Sequence, residues 1–122
     1  MKTLKNKLDI TLSKLFDMLL TIKMYHWKTS KYSAHKASDK LYESLNTNMD
    51  KFVEIWLGKN GKRMNSNINL SIKYISNKSN LIKKIKGLII YLDSLIIGPD
   101  LLSVKDDMVG DLNQFIYLLT FN

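Results

Sequence analysis

Leu8, Leu12, Leu15, Leu19, Ile22 and His26 follow one another at steps of 4, 3, 4, 3 and 4 residues. That alternation keeps the side chains on one face of an α-helix and marks a seam that other helices must cover. A helix cannot bury its own stripe, so such a chain is committed to helix-on-helix layers. The seam ends on an imidazole instead of a hydrocarbon. A single histidine in that position is more often a satisfied core residue than a ligand. Here, however, four further potential ligands follow it: His35, Asp39, Asp50 and Glu54.

Three more helices can be read from the periodicity. The second follows Tyr32–Ser33, with Ser33 as its expected N-cap, and carries the stripe Ala34, Leu41, Leu45, Phe52 and Trp56. Gly58, Asn60 and Gly61 end it. Residues 59–70 read as a loop with at most a short helical turn. The third carries Ile72, Ile75, Ile82, Ile85, Ile89, Leu92 and Ile96, and the polar run Ser76–Asn80 delays its start to about Ser79. Gly98–Pro99 stops it. The fourth runs from Asp100, the expected N-cap, to Thr120, with Leu101, Met108, Leu112, Phe115 and Leu119 as its stripe. Asn-Gly and Gly-Gly turns between alternating runs are missing, which argues against strands. Pro99 is the only proline and no low-complexity linker interrupts the chain. The expectation is an all-α four-helix bundle forming one domain over residues 1–122.

Composition narrows the chemistry. There is no cysteine, so disulfides and thiolate metal sites are excluded. Any metal must be held by imidazole and carboxylate, which favours iron, with manganese or zinc as alternatives. Net charge is +8, carried by eighteen lysines and one arginine. Planar arginine forks, the usual base readers, are nearly absent, so contact with nucleic acid would be backbone-directed and non-specific. A plain solvated lysine surface is the competing reading. The basic start Met1–Lys7 is followed by Asp9, Lys14 and Asp17, unlike a secretory signal. The apolar run Gly87–Ile97 is too short for a membrane span and contains Asp93. No membrane partner is expected. The expected location is the cytoplasm, or the virion and host cytoplasm for a viral protein.

The ligand spacing is the most specific feature. His35 and Asp39 are four residues apart, as are Asp50 and Glu54, and Asp39 and Asp50 are eleven apart. Eleven residues make about three helical turns, so all four share one broad face of the second helix. His26 and His35 are the only histidines, and Glu54 is one of two glutamates. Asp39 and Asp50 lie roughly 16 Å apart along the axis, at about 1.5 Å per residue. That is too far for one site. Either the helix carries two sites, or each half meets a half from another chain. A two-fold crossing of antiparallel second helices would set His35 and Asp39 of one chain against Asp50 and Glu54 of another, twice per isologous dimer. Three other groups attract notice for blander reasons. Asp106, Asp107 and Asp111 form an acidic cluster without histidine. Lys78, Lys83, Lys84 and Lys86 form a basic one. Trp27 and Trp56 suit core or interface packing.

The motif His26-Trp27, then His35-x-x-x-Asp39, then Asp50-x-x-x-Glu54 resembles the Dps-like mini-ferritins of the ferritin superfamily. The same signature resembles short Dps-related proteins of large DNA viruses and bacteriophages. The resemblance covers residues 24–61. It implies a ferritin-like bundle and a ferroxidase centre across a dimer interface. His26, His35 and Asp39 would come from one subunit, and Asp50 and Glu54 from the other. It implies Fe(II) oxidation by peroxide or oxygen, protection of DNA from oxidative damage, and a homo-oligomer ranging from a dimer to a dodecamer. Within the motif the chain departs from the pattern in two places. The His26–His35 interval is shorter than usual, and Ile55 stands where an arginine is usual.

Overall fold

The computed structural model describes residues 4–121. Met1–Thr3 and Asn122 lie outside the described residues. Four helices form in chain order: α1 (Leu4–Lys28), α2 (Tyr32–Lys59), α3 (Lys78–Asp93) and α4 (Pro99–Leu118). No strand occurs among the described residues. The chain is an all-α four-helix bundle, as expected. Among the described residues no helix is long and apolar enough to cross a membrane.

One apolar cluster draws on all four helices. Leu15, Ile22, Leu45, Phe52, Ile85, Met108 and Leu112 are fully buried in it, each contributing roughly 1.5–3 kcal/mol of transfer free energy. The expected stripes of α1, α2 and α4 are the buried ones. In α3 the stripe is rotated. Leu81 and Leu88 enter the core together with Ile85 and Leu92, whereas Ile82 and Ile89 flank it. Ile72 and Ile75 precede the helix, and Ile96 follows it at 90% exposure.

Two expected caps move. Lys31, in extended conformation, is the N-cap of α2, and Ser33 lies inside its first turn without a cap hydrogen bond. Gly98 is the N-cap of α4, with Pro99 in its first turn, where a missing N–H costs nothing. Asp100 sits one place further in and accepts from the Leu101 N–H and from Lys59. That amine, at 3.0 Å, holds the Asp100 carboxyl below its ordinary range. The start of α3 agrees with the polar run: the Asn77 side chain accepts from the Asn80 N–H at 2.8 Å.

Cross-helix contacts set the topology. α1 runs antiparallel to α2 through a three-residue turn, and antiparallel to α3 through Thr11–Tyr91 and Asp17–Lys84. α4 runs antiparallel to α2 through Asp100–Lys59 and Asp111–Ser44, and antiparallel to α3 through Lys105–Asp93. Asp106 and then Asp93 hold the Lys105 ammonium above its ordinary range. Among the described residues the α2 and α3 backbones do not approach one another, nor do those of α1 and α4, which meet only through side chains across the core, as Tyr25 does edge-on with Phe115. The helices are therefore ordered α1, α2, α4, α3 around the bundle, with α2 and α3 parallel on a diagonal.

Parallel diagonal helices need a long connection, and residues 62–76 supply it without helix. Asn69–Ser71 lie against α1 and α3, and Lys73–Ile75 continue along α1. Ile68 and Ile75 pack against the core from this strap.

Candidate metal centre

α1 ends two residues after His26, and α2 begins three residues before His35. The turn between them folds the two rings together. Their centroids are 3.7 Å apart with the planes at 19°. Nδ1 of His26 lies 2.8 Å from the His35 carbonyl oxygen, and Nδ1 of His35 lies 2.9 Å from the His26 carbonyl oxygen. A carbonyl only accepts, so each Nδ1 carries the proton. Ser38, buried nearly two turns into α2, donates to the His35 carbonyl at 3.0 Å and lies 3.1 Å from His26 Nδ1.

This reciprocal clamp has a structural use. The His26 carbonyl is in the last turn of α1, where the backbone lacks helical partners, and His35 satisfies it. It also has a chemical consequence. With Nδ1 committed on both rings, the neutral imidazoles keep their lone pairs on Nε2. Metal-binding histidines are oriented in this way, by a carbonyl holding the other ring nitrogen.

The carboxylates lie elsewhere. Asp39 is exposed one turn beyond His35, and Asp50 and Glu54 are exposed further along the same helix. No three histidine or acidic side chains gather into a metal site within one chain, among the described residues. The structure thus brings His26 and His35 together and leaves the three carboxylates facing outward from α2.

The surface beside them is apolar. Phe16, Leu20 and Trp27 of α1 are exposed, Trp27 at 70%, and Lys23 stands in line between Leu20 and Trp27. The Lys23 amine lies 4.7 Å from the Tyr42 ring centroid of α2 and 5.6 Å from that of Trp27. This stripe therefore runs next to α2. Trp56, in contrast, is 2% exposed and belongs to the core.

The rival clusters are structural in part. Asp111 is half-buried and accepts from Ser44 and Asn48. Asp106 pairs with Lys105. The Lys78 amine donates to the Leu119 carbonyl, and Lys84 pairs with Asp17, which leaves Lys83 and Lys86 as plainly exposed members of their group.

Charge is layered. α1, the 60–77 connection and α3 hold twelve of the nineteen basic residues and three of the eleven acidic ones. α2 and α4 hold five basic and eight acidic residues. The layer carrying the candidate ligands is the acidic one.

The chain belongs to DUF5856, a family of unknown function. The match spans residues 26–119, from His26 to the end of α4, and takes in both histidines and all three carboxylates. No curated protein and no solved structure matches the chain. Ser38 is the residue of this DUF5856 site that pattern reading missed. Its signal is its position, three residues after His35 on the same helical face.

Removing the clamp exposes an unpaired carbonyl at the end of α1. His35→Ala should lower stability by roughly 1–2 kcal/mol. Urea unfolding should show this as a lower midpoint with an unchanged slope.

Proposed function

We propose that this protein binds and oxidises Fe(II) at sites shared between two copies of the chain. Each site would combine His26, His35 and Asp39 of one copy with Asp50 and Glu54 of the other. The observation that carries this reading is the histidine clamp, which stacks two imidazoles with Nδ1 committed on both and so leaves Nε2 of each as the acceptor, at the head of the helix that carries Asp39, Asp50 and Glu54. Imidazole with carboxylate suits iron in both oxidation states. The ligand halves sit too far apart on α2 to meet within one chain, and the apolar stripe Phe16, Leu20 and Trp27 supplies contact surface next to them. A two-fold axis across α1 and α2 would join the halves and cover the stripe. The single long crossover between parallel α2 and α3 is the connectivity of ferritin-like bundles.

Iron is substrate in this scheme. Two Fe(II) ions give one electron each to a peroxide; its O–O bond breaks, and two protons complete two waters. The chain's part is to hold both ions close, with carboxylates to offset the rising charge on iron. Removing Fe(II) and peroxide together suppresses hydroxyl-radical formation.

A second role is favoured by the layered charge. The basic α1–crossover–α3 layer faces away from the acidic layer and presents lysines to a polyanion. Contacts of this kind are to phosphates and carry no sequence preference. Such a layer would hold nucleic acid near a centre that removes iron and peroxide.

Subunit mixing tests the shared site. Asp39→Ala and Asp50→Ala should each abolish iron oxidation. A 1:1 mixture allowed to exchange subunits should recover about a quarter of the wild-type activity, because each hybrid dimer rebuilds one intact site of two. No recovery after demonstrated exchange would rule out sharing. For the basic layer, DNA affinity should fall at least about tenfold between 50 and 200 mM salt, equally for unrelated sequences. Lys83→Glu with Lys86→Glu should weaken it further. Affinity indifferent to salt would remove this role.

A further inference from the structure

α1 and α3 touch least of the four neighbouring helix pairs. Small residues, Ser13 on α1 and Gly87 on α3, leave a gap where larger side chains would interlock. The strap residues Asn69–Ser71 border this gap, an open groove of about 450 Å³. That is within the usual range for small-molecule sites, about 300–1,000 Å³. Buried Met18 and Leu88 give it an apolar floor.

Polar groups stand at its two ends. At one, the Tyr91 and Thr11 hydroxyls are hydrogen-bonded at 2.8 Å, and the exposed Lys14 amine lies 4.8 Å from the Tyr91 ring centroid. At the other, Lys84 pairs with Asp17 and donates to the Thr21 hydroxyl at 3.2 Å. Two cations and one anion line the groove, so its charge balance is positive.

Gly87 is in the interior of α3, where glycine weakens a helix. Its φ is not positive, and a Cβ built on it meets nothing within 4 Å. Neither backbone conformation nor close packing requires glycine there, and its lack of a side chain keeps the groove open.

We propose that this groove binds a small amphipathic organic anion. Its phosphate or carboxylate lies at the Lys14 end, and its apolar body rests on Met18 and Leu88 beside the strap. Ser13, Ser71 and Asn69 offer hydrogen bonds along the way. The site is separate from the iron ligands and does not depend on them.

Calorimetric titration of the full chain with adenosine monophosphate, and separately with octanoate, tests this. At least one should bind saturably, once per chain, and the one that binds identifies the headgroup. Gly87→Leu fills the groove while improving helix propensity, and Lys14→Gln removes one cation. Each should weaken binding by about tenfold or more, with the melting temperature of Gly87→Leu no lower than wild type. Binding by neither compound, or binding that Gly87→Leu leaves unchanged, would overturn the proposal.

Discussion

Two imidazoles close the turn between α1 and α2, each giving its Nδ1 proton to the other's backbone carbonyl. Much of the geometry follows from this pair of bonds. They satisfy the end of α1, bring α2 back antiparallel, and fix which side of α2 faces away from the bundle. On that side stand Asp39, Asp50 and Glu54. The same bonds leave both Nε2 atoms as acceptors. The arrangement that caps α1 is also the one that would orient two ligands in the proposed centre, and Ser38 supports it by donating to the His35 carbonyl.

The rest of the bundle accommodates this edge. α2 and α3 run parallel on a diagonal, so a long strap must join them, and it passes along α1. The strap covers the α1–α3 seam, and that seam is where the bundle packs most loosely. Most of the positive charge lies on this side, whereas α2 and α4 carry most of the acid. An acidic layer that attracts cations and a basic layer that attracts polyanions repel the same solutes from each other's faces. Opposite charges on opposite faces make the two proposed roles physically compatible in one small domain.

Much of this was legible in the residues, and the exceptions have identifiable causes. The 4–3 stepping of leucines gave α1, because a buried seam of 3.5-residue period admits little else. α2 and α4 were equally plain. Ser33 looked like a better cap than Lys31, but the tertiary histidine clamp, not local propensity, decides where α2 starts. Asp100 looked like the cap of α4, but Pro99 fits only inside the first turn, which pushes the cap back to Gly98. Ile72 and Ile75 continued the apparent stripe of α3 because an extended strap also buries isoleucines, as Ile75 and Ile68 do. Spacing alone does not separate these cases. The five candidate ligands could be named from sequence. The stacking of His26 on His35 could not, since it depends on the path of three residues, Thr29–Lys31. The crossover was likewise invisible: a loop at 59–70 joins the second and third helices but says nothing about whether they lie side by side or parallel on a diagonal.

The most direct measurement is an anaerobic Fe(II) titration of the purified protein, with bound iron counted per chain. A shared His/carboxylate centre predicts saturable binding of one to two ions per chain, lost in Asp50→Ala even though His26 and His35 remain. Binding that persists without Asp50, or no saturable binding in the wild type, would contradict it.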